Sequence, residues 1–199
     1  MKKCHFVRVF LLLFSVLMFF SGCTSTKIIS ESNIAPIYIT NIKKLYLLPP
    51  SEIETDVDCQ QLLTADFGGN SMAFLAYLKA DREGIFLSLF NDFGTGMGTL
   101  SYDGMNVSFD SPIFPANLKA EYIVADLQFA YYKVNSIQKL LKSIKMKMTV
   151  ESANDENDGT ETRKIFNGPF LIEEINKSGK TIVIKNKLRG YEYVLQEVE

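Results

Sequence analysis

Two pairs of closely spaced carboxylates are the side chains in this sequence most able to do acid–base chemistry. Asp56 and Asp58 are two positions apart, so on a β-strand both would lie on one face and could share a proton. Glu173 and Glu174 are adjacent, so on a strand they would face opposite sides and could not serve one cleft. We interpret both pairs as solvated charges, and Asp126, on a predicted helix, as an ordinary hydrogen-bonded or exposed carboxylate.

The composition excludes several classes of enzyme and nucleic-acid binding. The only histidine, His5, lies in a segment that we expect to be removed, so no histidine remains to activate a nucleophile or bind zinc. Two cysteines are left, Cys23 and Cys59, and Cys59 has no neighbouring cation to activate its thiol. Without the basic residues of that segment, 18 basic residues face 23 acidic ones, so a nucleic-acid-binding surface is not expected. We predict no enzyme activity, no metal and no cofactor.

Residues 1–22 have the order of a bacterial secretory leader. A basic start precedes the apolar run Phe10–Phe20, which is about half the roughly 20 residues that a membrane-spanning helix needs. The tetrad Phe20-Ser21-Gly22-Cys23 resembles the lipobox of bacterial lipoproteins, whose cysteine is acylated and becomes the new N-terminus. This resemblance implies lipidation of Cys23, with Thr24 favouring the outer membrane and its periplasmic side. A plain secretory signal with an incidental cysteine is the alternative.

The mature chain divides into a polar tether, residues 23–44, and one domain, residues 45–199. In the domain, short apolar runs alternate with turn residues about every 8–12 positions, which predicts an antiparallel meander. Helical spacing of apolar residues over 119–134 predicts one helix, and a second is expected to start at Asn135 with Gln138 as a capping partner. Strands are predicted over 60–67, 72–79, 85–90, 97–102, 106–109, 145–150, 162–166, 170–175, 180–185 and 191–198.

Two of the predicted strands, 72–79 and 85–90, carry apolar residues on both faces. In an antiparallel sheet with one solvent-exposed face, apolar and polar residues alternate along each strand. Because these two strands lack that alternation, we expect both faces of the sheet to be covered. The alternatives are a plain two-layer core and a curved sheet that lines an apolar cavity. For the cavity, the candidate ligand-binding residues are Leu75, Tyr77, Phe86, Leu89, Phe129 and Ile182.

A glycine-rich segment follows residue 90 and presents an aromatic side chain, Phe93. The spacing of Gly94, Gly96 and Gly98 is similar to that of a nucleotide-binding loop. Such a loop precedes a helix, whereas here a strand is predicted to follow. The stretch Leu87–Gly94 resembles a strand and loop of LolB, the outer-membrane lipoprotein receptor. In that resemblance Phe93 takes the place of the apolar residue that LolB inserts into the membrane, and Asp92 replaces a proline.

A longer part of the chain, most of 45–199, resembles a family of uncharacterised bacterial lipoproteins that are often encoded with aryl-polyene lipid biosynthesis genes. The matching features are the hairpin Leu100–Gly104, the helix motif Ala125–Gln128 and the closing strand that begins at Arg189. The resemblances imply an α+β fold of LolA/LolB type: an open, strongly curved antiparallel sheet, or incomplete barrel, whose concave face is plugged by helices.

The expected function is that of an outer-membrane lipoprotein that binds acyl chains or a lipid-like ligand and helps to deliver it to the outer membrane. Its expected partners are membrane lipid, held through Cys23, the ligand, and a periplasmic carrier protein, with the chain acting as a monomer. The alternatives are a receptor for lipoproteins, as LolB is, a structural assembly lipoprotein with a filled core, and an enzyme of lipid processing.

Overall fold

The structure, a computed structural model, describes residues 34–112, 119–153 and 159–198. The expected leader, Cys23 and the first part of the expected tether lie outside the described residues. Within the described ranges, no helix is both long enough and apolar enough to cross a membrane.

Ten antiparallel strands form one curved sheet that does not close into a barrel. Its strand order is β7-β6-β5-β4-β3-β12-β11-β10-β9-β8, so β7 and β8 are the edges. All ten predicted strands are present, and their bounds are β3 Val57–Phe67, β4 Asn70–Ala80, β5 Ile85–Phe90, β6 Gly96–Tyr102, β7 Val107–Asp110, β8 Lys147–Ala153, β9 Thr160–Asn167, β10 Phe170–Ser178, β11 Thr181–Asn186 and β12 Tyr191–Glu197. The prediction of a large open antiparallel sheet is confirmed.

Tight turns join several pairs of neighbouring strands. The β3–β4 turn uses Gly68 and Gly69, both with positive φ, a conformation that glycine adopts without steric cost. In the β4–β5 turn, a Cβ on Gly84 would lie 2.2 Å from the carbonyl oxygen of Tyr102, so only glycine fits there. These glycines fix the register between neighbouring strands.

Two helices follow β7, as the apolar spacing predicts. Helix α1 spans Ala120–Tyr131 and helix α2 spans Val134–Ser143. The expected capping box is wrong, because no side chain caps the start of α2. Instead Gln138 donates to the carbonyl of Met148.

The core lies between α1 and one face of the sheet, which we call the inner face. Val124 and Ala130 of α1 are fully buried, as are Leu78 and Ile184 on the inner face. Burial of such side chains contributes roughly 25 cal/mol per Å² of apolar surface removed from water, which makes this layer the main source of stability.

The sequence predicts that both faces of the sheet are covered. The opposite face, which we call the outer face, is instead exposed to solvent. Over residues 61–65 of β3, 74–80 of β4 and the whole of β5, buried residues alternate with exposed or partly exposed ones. The outward positions include the exposed side chains of Leu62, Leu75 and Phe86. The apolar outward residues therefore leave an exposed patch instead of marking a second covered face.

A short N-terminal segment corrects the expected extent of the tether. Residues 34–45 contain a hairpin of β1 (Ile37–Tyr38) and β2 (Lys44–Leu45), and Ile34, Ile37 and Ile39 are buried in the core. Lys43 Nζ donates to the carbonyl of Lys145 at 2.7 Å. Residues 34–44 are thus part of the folded domain, because their apolar residues pack against it.

Candidate functional site

A small apolar cavity lies between α1 and the inner face of the sheet. Its free volume is about 50 Å³, and its lining comes from β3, β4, β5, β6, β7, β11, β12 and α1. Of the fifteen lining residues, thirteen are apolar, and the others are Asp126 and Tyr193. A ligand held here would be bound by its apolar surface, with Asp126 as the one charged contact among the lining residues.

Alternate residues of the strands supply most of the cavity wall. Leu63 and Ala65 come from β3, Leu87 and Leu89 from β5, and the helix adds Leu127. Positions two apart on a strand share a face, which brings both members of each strand pair to the cavity.

The six predicted ligand-binding residues lie at different places in the fold. Leu89 lines the cavity, Phe129 is buried in the core, and Ile182 lines a separate, polar pocket together with Cys59. The remaining three lie on the outer face, where Leu75 and Phe86 are exposed and Tyr77 donates to Asp58 at 2.9 Å.

The three misplaced residues follow from an error of one strand face. The apolar patterns of β4 and β5 do not say which side meets the helices, and a shift of one residue exchanges the two faces. Leu75, Tyr77 and Phe86 therefore cannot line the cavity, contrary to the sequence prediction.

Two buried carboxyl groups form a polar cluster at the cavity wall. Asp126 of α1 is 3% exposed and Glu173 of β10 is 1% exposed. Tyr191 donates its hydroxyl to Asp126 Oδ2 at 2.6 Å, and Asn186 donates to Glu173 Oε2 at 3.2 Å. Asn186 also lies 3.2 Å from the Tyr191 hydroxyl, so one hydrogen-bond network joins the two acids.

The backbone register brings this cluster together. Glu173 pairs with Asn186 across β10 and β11, and Asn186 pairs with Tyr191 across β11 and β12. Glu173 lies two positions before the buried Ile175, so regular alternation along β10 sets both on the inner face. Asp126, on helix α1, completes the cluster by accepting the hydrogen bond from Tyr191.

Burial perturbs both acids. It raises the pKa of Asp126 to about 7, against the opposing effects of the Tyr191 hydrogen bond and the Arg189 charge. Burial, followed by the charge of Asp126, raises the pKa of Glu173 well above its ordinary value. Two carboxyls within hydrogen-bonding reach in an apolar site cannot both be ionised at low cost, so they share a proton near neutral pH.

Sequence reasoning missed this pair. The sequence predicts Glu173 and Glu174 as solvated charges and Asp126 as an ordinary hydrogen-bonded or exposed carboxylate. The available signal was that Glu173, Asn186 and Tyr191 interrupt strands that are otherwise rich in apolar residues. It could not be used without the register of three strands.

A buried arginine fixes the C-terminal end of α1. Arg163 has no exposed surface and donates to the carbonyls of Phe129 and Tyr132 at 3.1 and 2.8 Å. It also contacts carboxylates of Glu54 and Glu161, each at 2.8 Å. A cation at the carbonyl end of a helix is electrostatically favourable, and here it ties α1 to β9.

The proposed membrane-contacting residue Phe93 lies at the tip of the β5–β6 turn and is 94% exposed. The turn is ordered, because Asn91 Oδ1 accepts hydrogen bonds from the backbone N–H groups of Phe93 and Thr95 at 3.0 and 2.9 Å. A strand follows the turn, so the glycines do not form the entry to a nucleotide-binding helix. In the described ranges, no group of three or more side chains is placed to hold a metal ion.

Comparison with known families matches residues 58–199 to a family described as Protein of unknown function (DUF3261). The chain belongs to this family. A comparison with curated proteins found no match. The matched range begins in β3 and includes the other nine strands of the sheet, both helices, the cavity and the carboxyl pair.

Proposed function

We propose that this DUF3261 protein is a non-catalytic lipoprotein that holds the apolar part of a lipid between α1 and the inner face of the sheet, and delivers it to the outer membrane. The observation that carries the proposal is the cavity, whose wall is apolar apart from Asp126 and Tyr193. Such a wall binds an acyl or polyene chain by removing it from water, at roughly 25 cal/mol per Å². The open sheet with a helix against it also supports a fold of LolA/LolB type.

The cavity must widen to hold a chain. Its volume of about 50 Å³ is about a third of the roughly 150 Å³ of an engineered cavity that binds benzene. In this proposal helix α1 moves away from the sheet to widen the cavity. Its C-terminal half is held by Arg163 and by two hydrogen bonds of about 2.9 and 2.8 Å between Gln128 and the backbone of Leu48. The Asp126–Tyr191 bond lies further toward the N-terminal half, beside cavity-lining Ile123.

In this proposal one end of the sheet faces the membrane. The turns β5–β6, β9–β10 and β11–β12 all lie at this end and carry the exposed side chains of Phe93, Phe170 and Leu188. The β1–β2 hairpin lies at the same end, since Arg189 of the β11–β12 turn donates to the carbonyl of Tyr38.

The proposed anchor is compatible with this orientation. Ten residues separate Cys23 from Ile34, and fully extended they reach at most about 35 Å. An acylated Cys23 would therefore keep the domain close to the lipid surface, with the apolar turns directed toward it. In this proposal the chain is a monomer in the outer membrane that receives its ligand from a periplasmic carrier.

Mass spectrometry of lipids retained by the purified full chain tests the proposal. Ala65 lines the cavity, so Ala65→Val fills part of the free volume, whereas Ala73→Val adds the same groups on the exposed face of β4. We expect a defined lipid with the wild type and the Ala73→Val variant, and at least a fivefold lower amount with Ala65→Val.

A structural assembly lipoprotein is the second candidate, and the small volume of the cavity favours it. Equal lipid content in all three proteins, or none above the detergent background, would support that function and reject the carrier. A lipoprotein bound in place of a lipid would support the receptor function of LolB type.

A further inference from the structure

We propose that Asp126 and Glu173 form the polar end of the ligand site. This end binds a ligand head group that donates hydrogen bonds, a hydroxyl or an amine, and rejects a carboxylate head group. This inference rests on the proposed function, and it names the chemical class of the ligand. It starts from the position of Asp126, which is the one residue with an acidic side chain among those that line the cavity.

The carboxyl pair has acceptor capacity left for a ligand. An ionised carboxylate has about four acceptor sites. Asp126 accepts a hydrogen bond from Tyr191 and, with the shared proton, one from Glu173, so acceptor sites remain for a ligand. Glu173 Oε1 is buried and has no hydrogen-bond partner among the described residues, which a proton shared with Asp126 would explain. The pair is thus rich in acceptors beside a cavity lined by hydrocarbon.

The charges around Asp126 define which ligand end fits. The groups that face it are Glu173, Tyr191 and Tyr193, with Arg189 as the nearby cation. The Arg189 guanidinium is already engaged, because it lies 4.2 Å from the centre of the Tyr122 ring and donates to the Tyr38 carbonyl. An incoming carboxylate would meet an acceptor pair that holds one negative charge, at low dielectric.

A hydroxyl or an ammonium head group would interact favourably with the same acceptors. Each donates a hydrogen bond to Asp126, and the ammonium adds charge attraction in a site that excludes water. The carboxyl pair is also hard to explain as a stabilising device, since apolar side chains of similar volume often replace buried charges without loss of stability. Its position at the cavity gives it a role in recognition.

The test uses three photoactivatable probes on the full chain in detergent. Each probe is a 12-carbon chain with a mid-chain diazirine, and the heads are an amine, an alcohol and a carboxylate. Cross-links are mapped by mass spectrometry on β5, where Leu87 and Leu89 line the cavity and Phe86 is exposed on the outer face. The ratio of inner to outer labelling on this strand corrects for partition into the micelle.

At pH 7.5 we expect the amine and alcohol probes to give an inner-to-outer ratio at least about tenfold above that of the carboxylate probe, a difference of about 1.4 kcal/mol. Asp126→Asn should bring the three ratios to within about threefold. The matched control Glu174→Gln, whose side chain lies on the other face of β10, should retain the discrimination.

Two failures can be told apart. If all three probes label Leu87 and Leu89 equally in the wild type, or if Asp126→Asn retains the discrimination while its circular dichroism spectrum is unchanged, the inference is wrong and the carrier function stands. If no probe labels the inner residues above the outer one, the proposed function fails and the inference fails with it.

Discussion

The carboxyl pair predicts that the folded protein becomes less stable as the pH rises from 5 to 8. Asp126 is 3% exposed and its pKa is raised to about 7, chiefly by burial. In the unfolded chain the same group has a pKa of about 3.9. Between these values the folded state binds a proton that the unfolded state has lost, so stability falls with rising pH.

The magnitude follows from the width of that interval. Each pH unit in which the folded state holds one extra proton changes the free energy of unfolding by about 1.4 kcal/mol. From pH 5 to the raised pKa, Asp126 alone accounts for a loss of about 3 kcal/mol, and the raised pKa of Glu173 acts in the same direction. Typical urea slopes of about 1–3 kcal/mol/M turn this loss into a midpoint lowered by about 1–3 M.

Urea unfolding followed by far-ultraviolet circular dichroism measures this effect at pH 5, 6, 7 and 8. The pH range avoids the region where Glu161 and Asp103 protonate, since their pKa values are lowered and their contribution is lost in acid. Asp126→Asn should remove the part of the slope that Asp126 contributes and leave the part that buried Glu173 contributes. Glu174→Gln, on the neighbouring residue, should keep it.

A wild-type midpoint that is the same at pH 5 and pH 8 would refute this account of the pair. So would a full pH slope in Asp126→Asn, because another group would then be responsible. A rise in stability with pH would have the wrong sign for a raised carboxyl pKa and would require that the acids be paired with a cation instead.

Three further predictions concern other parts of the fold. Arg163→Met should lower the free energy of unfolding by about 1–3 kcal/mol because it leaves the buried carbonyls of Phe129 and Tyr132 without their donor. Arg82→Met in an exposed turn should change it by less than about 0.5 kcal/mol, and similar urea midpoints would contradict the role of Arg163. Ala65→Val should raise stability by about 0.5–2 kcal/mol by filling the cavity, measured by thermal unfolding, and a loss would show that the site cannot take the added methyl groups. Since the chain has no tryptophan, Phe93→Trp in full chain bound to vesicles should show blue-shifted emission quenched by brominated lipid, while Met105→Trp at the other end of the sheet should not; equal quenching of both would refute membrane contact by the β5–β6 turn.

Local features of the fold could be predicted from the sequence because they depend on short-range chemistry. The bounds of β5 agree with the prediction at both ends, since Asp81–Gly84 and Asn91-Asp92 are turn sequences that end an apolar run. Helix α1 follows from the 3.6-residue recurrence of apolar side chains between Ile123 and Val134.

The placement of side chains in the site depended on longer-range information. Leu75 and Leu89 have similar local patterns, yet one is exposed and the other lines the cavity, because the choice of inner face is made by the packing of α1. Ile37 and Ile39 lie among polar residues that suggested a tether, and they are buried because the β1–β2 hairpin packs on the domain. Neither result can be obtained from periodicity alone.

The carboxyl pair shows most clearly what topology adds. Asp126 and Glu173 are 47 residues apart in the sequence. They meet because Glu173 lies on the inner face of β10, and the paired residues Glu173, Asn186 and Tyr191 cross three strands beneath α1. Such a site has a free-energy cost, since two acids are desolvated where aliphatic residues would pack well. A matched replacement of both, Asp126→Leu with Glu173→Leu, should therefore keep or raise the free energy of unfolding in urea at pH 8, while the head-group discrimination at Leu87 and Leu89 is lost. If this double variant were instead strongly destabilised at pH 8, the pair would be a structural element of the core, and its position beside the cavity would need no ligand to explain it.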